Sequence, residues 1–185
     1  MTKLQIGVIR IDFHDSDEES KDYVTCLDPE RLSRGSGIPA EGIIGVILHP
    51  LEAGERITPD NFAANTVFVD FMQGVIARRG PHIKDLITEA RCLGEGTLYV
   101  IDQRTRAPQG AVREILTDDI FGEFDVKDGK IVSGSYRPNP KHYLLSADGF
   151  FQLGPQLEHC LLEVLASIPD PDDAPEANDS KTFIN

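Results

Sequence analysis

Residues 118–153 read DDIFGEFDVKDGKIVSGSYRPNPKHYLLSADGFFQL. From Ile120 to Lys127 the chain alternates: Ile120, Gly122, Phe124 and Val126 point one way, and Phe121, Glu123, Asp125 and Lys127 the other. A period of two is that of a strand with one covered face. Asp128-Gly129 follows at once. It is the dipeptide favoured in a two-residue type I′ hairpin turn, where both central residues need φ > 0. A turn there sets Lys127 opposite Lys130, Val126 opposite Ile131, Asp125 opposite Val132 and Phe121 opposite Tyr136. One face then carries Phe124, Val126 and Ile131 as core, and the other carries Phe121, Val132 and Tyr136 among charges, half covered. Pro138 and Pro140 forbid a continuing central strand. The stretch after Ser135 is therefore predicted to be a rigid loop presenting Arg137, Asn139, Lys141 and His142.

Upstream, Leu4 to Phe13 and Asp22 to Leu27 read as strands, and Ile43 to Leu48 as a third. Asp28-Pro29 can start one helical turn. Thr58 is predicted to cap a helical region whose periodicity is plain from Asn65, with Phe68, Phe71, Met72, Val75 and Ile76 at helical spacing. Arg78 and Arg79 suit its last turn and Gly80-Pro81 stops it. A second helix from about Pro81 carries Ile83, Leu86, Ile87 and Ala90 on one face and ends at Gly94, so the two are expected to form an antiparallel αα-hairpin. Thr97 to Ile101 is apolar on both sides and reads as a central strand covered on both faces. Downstream, Tyr143-Leu144-Leu145 and Phe150 to Leu153 are short strands around Asp148-Gly149. Gly154-Pro155 opens a last helix with Leu157, Leu161, Val164, Leu165 and Ile168 inward.

The order of elements predicts an α+β fold over residues 1–168, a mainly antiparallel sheet with the αα-hairpin and a C-terminal helix packed on it. Residues 169–185, rich in Pro, Asp and Glu, are expected to be a disordered acidic tail. One regularity crosses the chain. Glu41-Gly42-Ile43-Ile44-Gly45-Val46-Ile47 echoes Asp118-Asp119-Ile120-Phe121-Gly122-Glu123-Phe124, and each is followed by a glycine, a proline and an asparagine (Gly54, Pro59, Asn61; Gly129, Pro138, Asn139) with helix beyond. An old duplication of residues 38–93 and 115–168 would leave such a trace.

The 185 residues carry 31 acidic and 18 basic side chains, a net charge of −13. Residues 1–30 contribute −5 and residues 169–185 another −4, so the acids concentrate in the flanks. That sign argues against a nucleic-acid partner, whose binding rests on clustered Lys and Arg. No apolar run approaches the roughly 18 residues of a membrane helix, and a signal peptide is not expected at the N-terminus. Three cysteines far apart, Cys26, Cys92 and Cys160, fit a reducing cytoplasm and a filler role.

Recognisable catalytic patterns are missing. The five histidines form no metal-ligand spacing, so no metal and no cofactor is expected. Residues 14–20 lack the glycine and glutamate of a calcium loop. Gly35-Ser36-Gly37-Ile38-Pro39-Ala40 fits G-x-G-x-x-A by letter, yet a strand, not a helix, follows it. The candidate ligand-binding surface joins Asp102 and Arg104, at the end of the 97–101 strand, to Tyr136, Arg137, Asn139 and His142. A guanidinium, an amide, an imidazole and a phenol are enough to hold a carboxylate or phosphate. Alternatively Arg104 and Arg137 pair with Asp102, Asp119 or Asp125 and merely pin loops. Two functions follow: a non-catalytic binding or assembly protein acting through a protein interface, with itself as one partner in a homodimer, or a small hydrolase or lyase using His142 as general base on an anionic substrate.

Overall fold

The computed structural model describes residues 4–11, 20–28, 31, 37–105 and 117–169. The expected tail and most of the 14–20 loop lie outside these residues. The fold is α+β, with antiparallel sheets and α-helices. Strands β1 (Gly7–Ile11), β2 (Lys21–Thr25), β3 (Ile43–Ile47) and β4 (Phe62–Ala64) form one sheet in that order. Helices α1 (Thr66–Arg79) and α2 (Lys84–Leu93) follow, joined by a 3-10 turn at Gly80–His82. A second sheet holds β5 (Gly96–Ile101), β6 (Ile120–Lys127) and β7 (Lys130–Ile131), with β8 (Arg137–Pro138) also paired to β6. A small hairpin, β9 (Leu145–Ser146) and β10 (Gly149–Phe150), leads into α3 (Pro155–Ala166). Among the described residues no helix is long and apolar enough to cross a membrane.

The Asp128-Gly129 turn forms as the sequence requires. Both residues have positive φ, +50° and +68°, and Lys127 faces Lys130 while Val126 faces Ile131. The register then changes. A turn at 133–134, closed by Ser135 N–H on Val132 O, takes up extra residues, so Glu123 faces Arg137 and Gly122 faces Pro138. Tyr136 therefore lies against Phe124, ring centres 4.8 Å apart, and not against Phe121 as straight pairing predicts. Phe121 is fully buried, not half covered. The β5–β6 register shifts between Val100 and Ile101, and that irregularity turns Phe121 out of the alternation into the core.

Three further expectations change. Helix α1 starts at Thr66, not near Thr58, because Asn65 caps it by accepting from Val67 N–H, and β4 occupies the residues between. The principal contacts of α1 are with α3, while α2 lies over β5 and β7; these are not the mutual contacts of an αα-hairpin. Among the described residues strand β5 pairs with β6 alone, and its two faces differ: Leu98 and Val100 are buried, and Tyr99 is 46% exposed.

The echo in the sequence corresponds to a repeat in three dimensions. The β2–β3 ladder breaks register between Val24 and Thr25, and the β5–β6 ladder between Val100 and Ile101. After each break one backbone bond closes the corner, Cys26 N–H to Gly42 O (3.2 Å) and Asp102 N–H to Asp119 O (2.8 Å). A 3-10 turn precedes each second strand, at Ala40–Gly42 and Thr117–Asp119. Gly45 faces Ala64 and Gly122 faces Pro138. Neither glycine has room for a Cβ, because an aromatic ring lies over it, Phe62 in the first unit and Tyr136 in the second.

An asparagine then ties each third strand back to its turn. Asn65 Nδ2 donates to Ala40 O (2.9 Å) and Ile43 O (2.8 Å), and Asn139 Nδ2 to Thr117 O (2.6 Å) and Ile120 O (2.7 Å). Their Oδ1 atoms accept from Val67 N–H and Lys141 N–H, both at 3.1 Å. Their backbone N–H groups donate to Ile44 O and Phe121 O, both at 2.9 Å. The counterpart of Pro138-Asn139 is thus Ala64-Asn65, not Pro59 and Asn61. One apolar cluster draws on both units: Val24, Ile44, Phe68, Met72 and Ile76 meet Phe121, Phe124, Phe151 and Leu161.

Candidate functional site

The six residues singled out in the sequence fall into two groups. Asp102, Arg104 and His142 converge in the interior at the corner where β5 ends. The Asp102 residue is fully buried, and the side chains of Arg104 and His142 are only 1% and 3% exposed. His142 Nε2–H donates to Asp102 Oδ2 at 2.9 Å, and its ring lies on Phe121 with centres 4.3 Å apart. Asp102 Oδ1 accepts from the backbone N–H of Arg104 (3.0 Å) and of Gln152 (2.9 Å). Buried carboxylates require such partners, since an unpaired charge in the interior is costly.

Arg104 clamps the downstream segment. Its terminal nitrogens donate to the carbonyls of Tyr143 (2.7 Å), Gly149 (3.1 Å) and Leu144 (3.4 Å). Its Nε is buried with no hydrogen-bond partner, yet lies 3.4 Å from Asp102 Oδ2 and 3.9 Å from Asp119 Oδ1. Two carboxylates thus offset the guanidinium charge while the fork holds the β9–β10 hairpin to the end of β5. The corresponding corner of the first unit lacks the two carboxylates and is tied instead by the Thr25 hydroxyl, which donates to Gly42 O at 2.8 Å and accepts from Leu27 N–H at 3.1 Å. Cys26 stands where Asp102 does, Gly42 where Asp119 does, and Leu27 fills the space over Gly42. Burial pushes the Cys26 thiol up to about 12, which makes it a filler and not a nucleophile.

Tyr136, Arg137 and Asn139 do not join that corner. The Tyr136 hydroxyl donates to Gln73 Oε1, and Gln73 Nε2 donates to Phe121 O at 3.1 Å, a buried polar bridge from α1 to β6. Burial raises the Tyr136 phenol well above its ordinary range. Arg137 is outside, forked on Asp125 (2.7 and 3.0 Å) and touching Glu123 at 2.8 Å. Those hydrogen bonds hold the Asp125 carboxyl below its usual range. Asn139 is the tie already described. The predicted loop therefore presents Arg137 and Lys141 to solvent, whereas Asn139 and His142 turn inward.

Asp119, Gln152 and Gln73 belong to these networks and were not among the predicted site residues. The sequence offers Asp119 only as an alternative partner for an arginine, which it is for Arg104 at 3.9 Å, and by its place opposite Gly42 in the echo. Among the described residues no group of three or more His, Cys, Asp or Glu is placed to hold a metal ion. No protein-family model, no curated protein and no solved structure matches this chain.

Proposed function

We propose that the chain is a non-catalytic binding or assembly protein that acts through a protein interface. The observation that supports this reading is the closure of His142. A general base must reach its substrate proton directly or through one water. The His142 imidazole is sealed between Phe121 and Asp102 with 3% of its side chain exposed. The guanidinium groups that would hold an anion are engaged as well, Arg104 by three carbonyls and Arg137 by Asp125 and Glu123. The polar residues of the candidate surface thus hold the fold together. Open to a partner among the described residues are backbone edge and exposed apolar side chains such as Tyr99, Leu48, Val67 and Tyr143.

The test compares wild type with His142→Asn on activated carboxylic and phosphate esters, alongside thermal unfolding. The expected result is no turnover above buffer for either protein and a lower melting temperature for the variant. Turnover by wild type that His142→Asn abolishes, with the melt unchanged, would overturn the reading in favour of a hydrolase.

A further inference from the structure

The first unit has four strands in the order β1-β2-β3-β4. The second repeats the last three as β5, β6 and β8, and among the described residues none takes the seat of β1 beside β5. The ladder shows what this edge offers. Asp125 O accepts from Val132 N–H (2.8 Å) and Asp125 N–H donates to Ser135 Oγ (3.0 Å), so both backbone groups point away from β5. Asp125 lies opposite Thr97, and Glu123 opposite Tyr99. Because backbone groups alternate sides along a strand, the N–H and C=O of Thr97 and Tyr99 point outward from the sheet edge. Tyr99 is the counterpart of Tyr23, which faces Ile9 of β1 in the first unit. Natural edges are commonly blocked by Lys, Pro or inward charge. Gly-Thr-Leu-Tyr-Val-Ile contains none of these.

We propose that the outer edge of β5 is a strand-docking site, and that its occupant is β5 of a second copy of this chain, paired antiparallel about a two-fold axis. This rests on the assembly reading above and names its partner. Antiparallel pairing of two identical strands is two-fold symmetric, so the edge is complementary to itself. With Leu98 opposite Leu98 of the partner subunit, Thr97 of each copy faces Tyr99 of the other, and these two pairs exchange four N–H···O bonds. Charge favours this edge for self-contact. A chain of net charge −13 meets its own copy best along an uncharged strand, and β5 is uncharged throughout, whereas the opposite sheet's edge strand β1 carries Arg10 tied to Asp22. The acids one strand back from the edge, Glu123 and Asp125, are countered by Arg137.

Sedimentation of the full chain from micromolar to about 1 mM, the range in which small interfaces associate, tests this together with amide exchange at residues 97 and 99. Wild type is expected to dimerise with concentration, and the two amides to gain protection as it does. Tyr99→Lys adds charge at an exposed ring and Thr97→Pro deletes an outward N–H; each should weaken the dimer about tenfold or more with unchanged circular dichroism. A monomer throughout with fast amides overturns the proposal. So does a monomer with slow amides, which means the chain covers β5 itself, and so does a dimer that both variants leave intact. Each of these outcomes is separate from a His142-dependent turnover, which would instead overturn the non-catalytic reading.

Discussion

Replacing Asn139 with alanine removes three hydrogen bonds, those of Nδ2 to Thr117 O and Ile120 O and that of Oδ1 from Lys141 N–H. The backbone bond from Asn139 N–H to Phe121 O survives. Each lost bond contributes about 0.5–1.5 kcal/mol net. Thr117 and Lys141 are exposed and recover water, so their share falls at the low end, while the Ile120 carbonyl is part-buried. The sum is about 1.5–3.5 kcal/mol. In a chain of this size each kcal/mol moves the melting temperature by about 2–4 °C, so a fall of about 3–14 °C is expected. Asn65→Ala removes the corresponding three bonds and should cost the same to within about 1 kcal/mol. Asn139→Asp should be worse than alanine, because it sets a carboxylate oxygen against two carbonyls. Thermal and urea unfolding followed by circular dichroism, with equal m-values across the set, gives the comparison. An Asn139→Ala protein that melts with wild type, or a silent Asn65→Ala beside a costly Asn139→Ala, would refute the equivalence of the two ties.

Gly129→Val places a β-branched residue at φ +68°, with its Cβ 3.4 Å from Arg91 Cα, and should cost on the order of 1–3 kcal/mol in the same melts. Gly122→Ala drives a Cβ to 2.5 Å from Arg137 O, a backbone atom that moves only with β8, so its melt should fall and the β8 amides should exchange faster. In alkali, the unfolded chain loses the Cys26 proton from about pH 9 while the folded chain holds it to about 12; stability is complete below that window and falls as pH rises through it. Cys26→Ala should flatten this part of the curve, and an unchanged slope would count against the thiol as its source.

The hairpin was legible because Asp-Gly names its own backbone angles, and the helices because periodicity and the flanking glycines and prolines survive any packing. The register beyond Val132 was not, since a turn at 133–134 changes it without disturbing the apolar pattern. β5 read as a central strand because Leu98, Tyr99, Val100 and Ile101 run together; only the fold shows that Tyr99 is left exposed and that no described strand lies beyond β5. Of the six residues expected to share one surface, Tyr136, Arg137 and Asn139 lie apart, and the other three, Arg104, Asp102 and His142, meet at the strand end. Their burial was not foreseen, because a charge reads as surface until its partners from residues 119, 143, 144 and 152 are in place. Of the two roles weighed for the arginines, pinning loops is the one their contacts describe.

Two units with the same ladder on one chain also create a sorting problem during folding, when β3 meets both β4 and β8, and β6 meets both β8 and β4. Similar tandem units are prone to exchange elements in this way. The cross-strand partners discriminate: Val46 faces Ala63, and Glu123 faces Arg137. A swap would set Glu123 against Ala63 and leave Arg137 beside Val46, forfeiting the forked contact with Asp125 as well. Apolar matched with apolar and charge matched with charge tell each strand which copy is its own, so making the two units more alike in sequence should slow correct folding even where it leaves the final contacts intact.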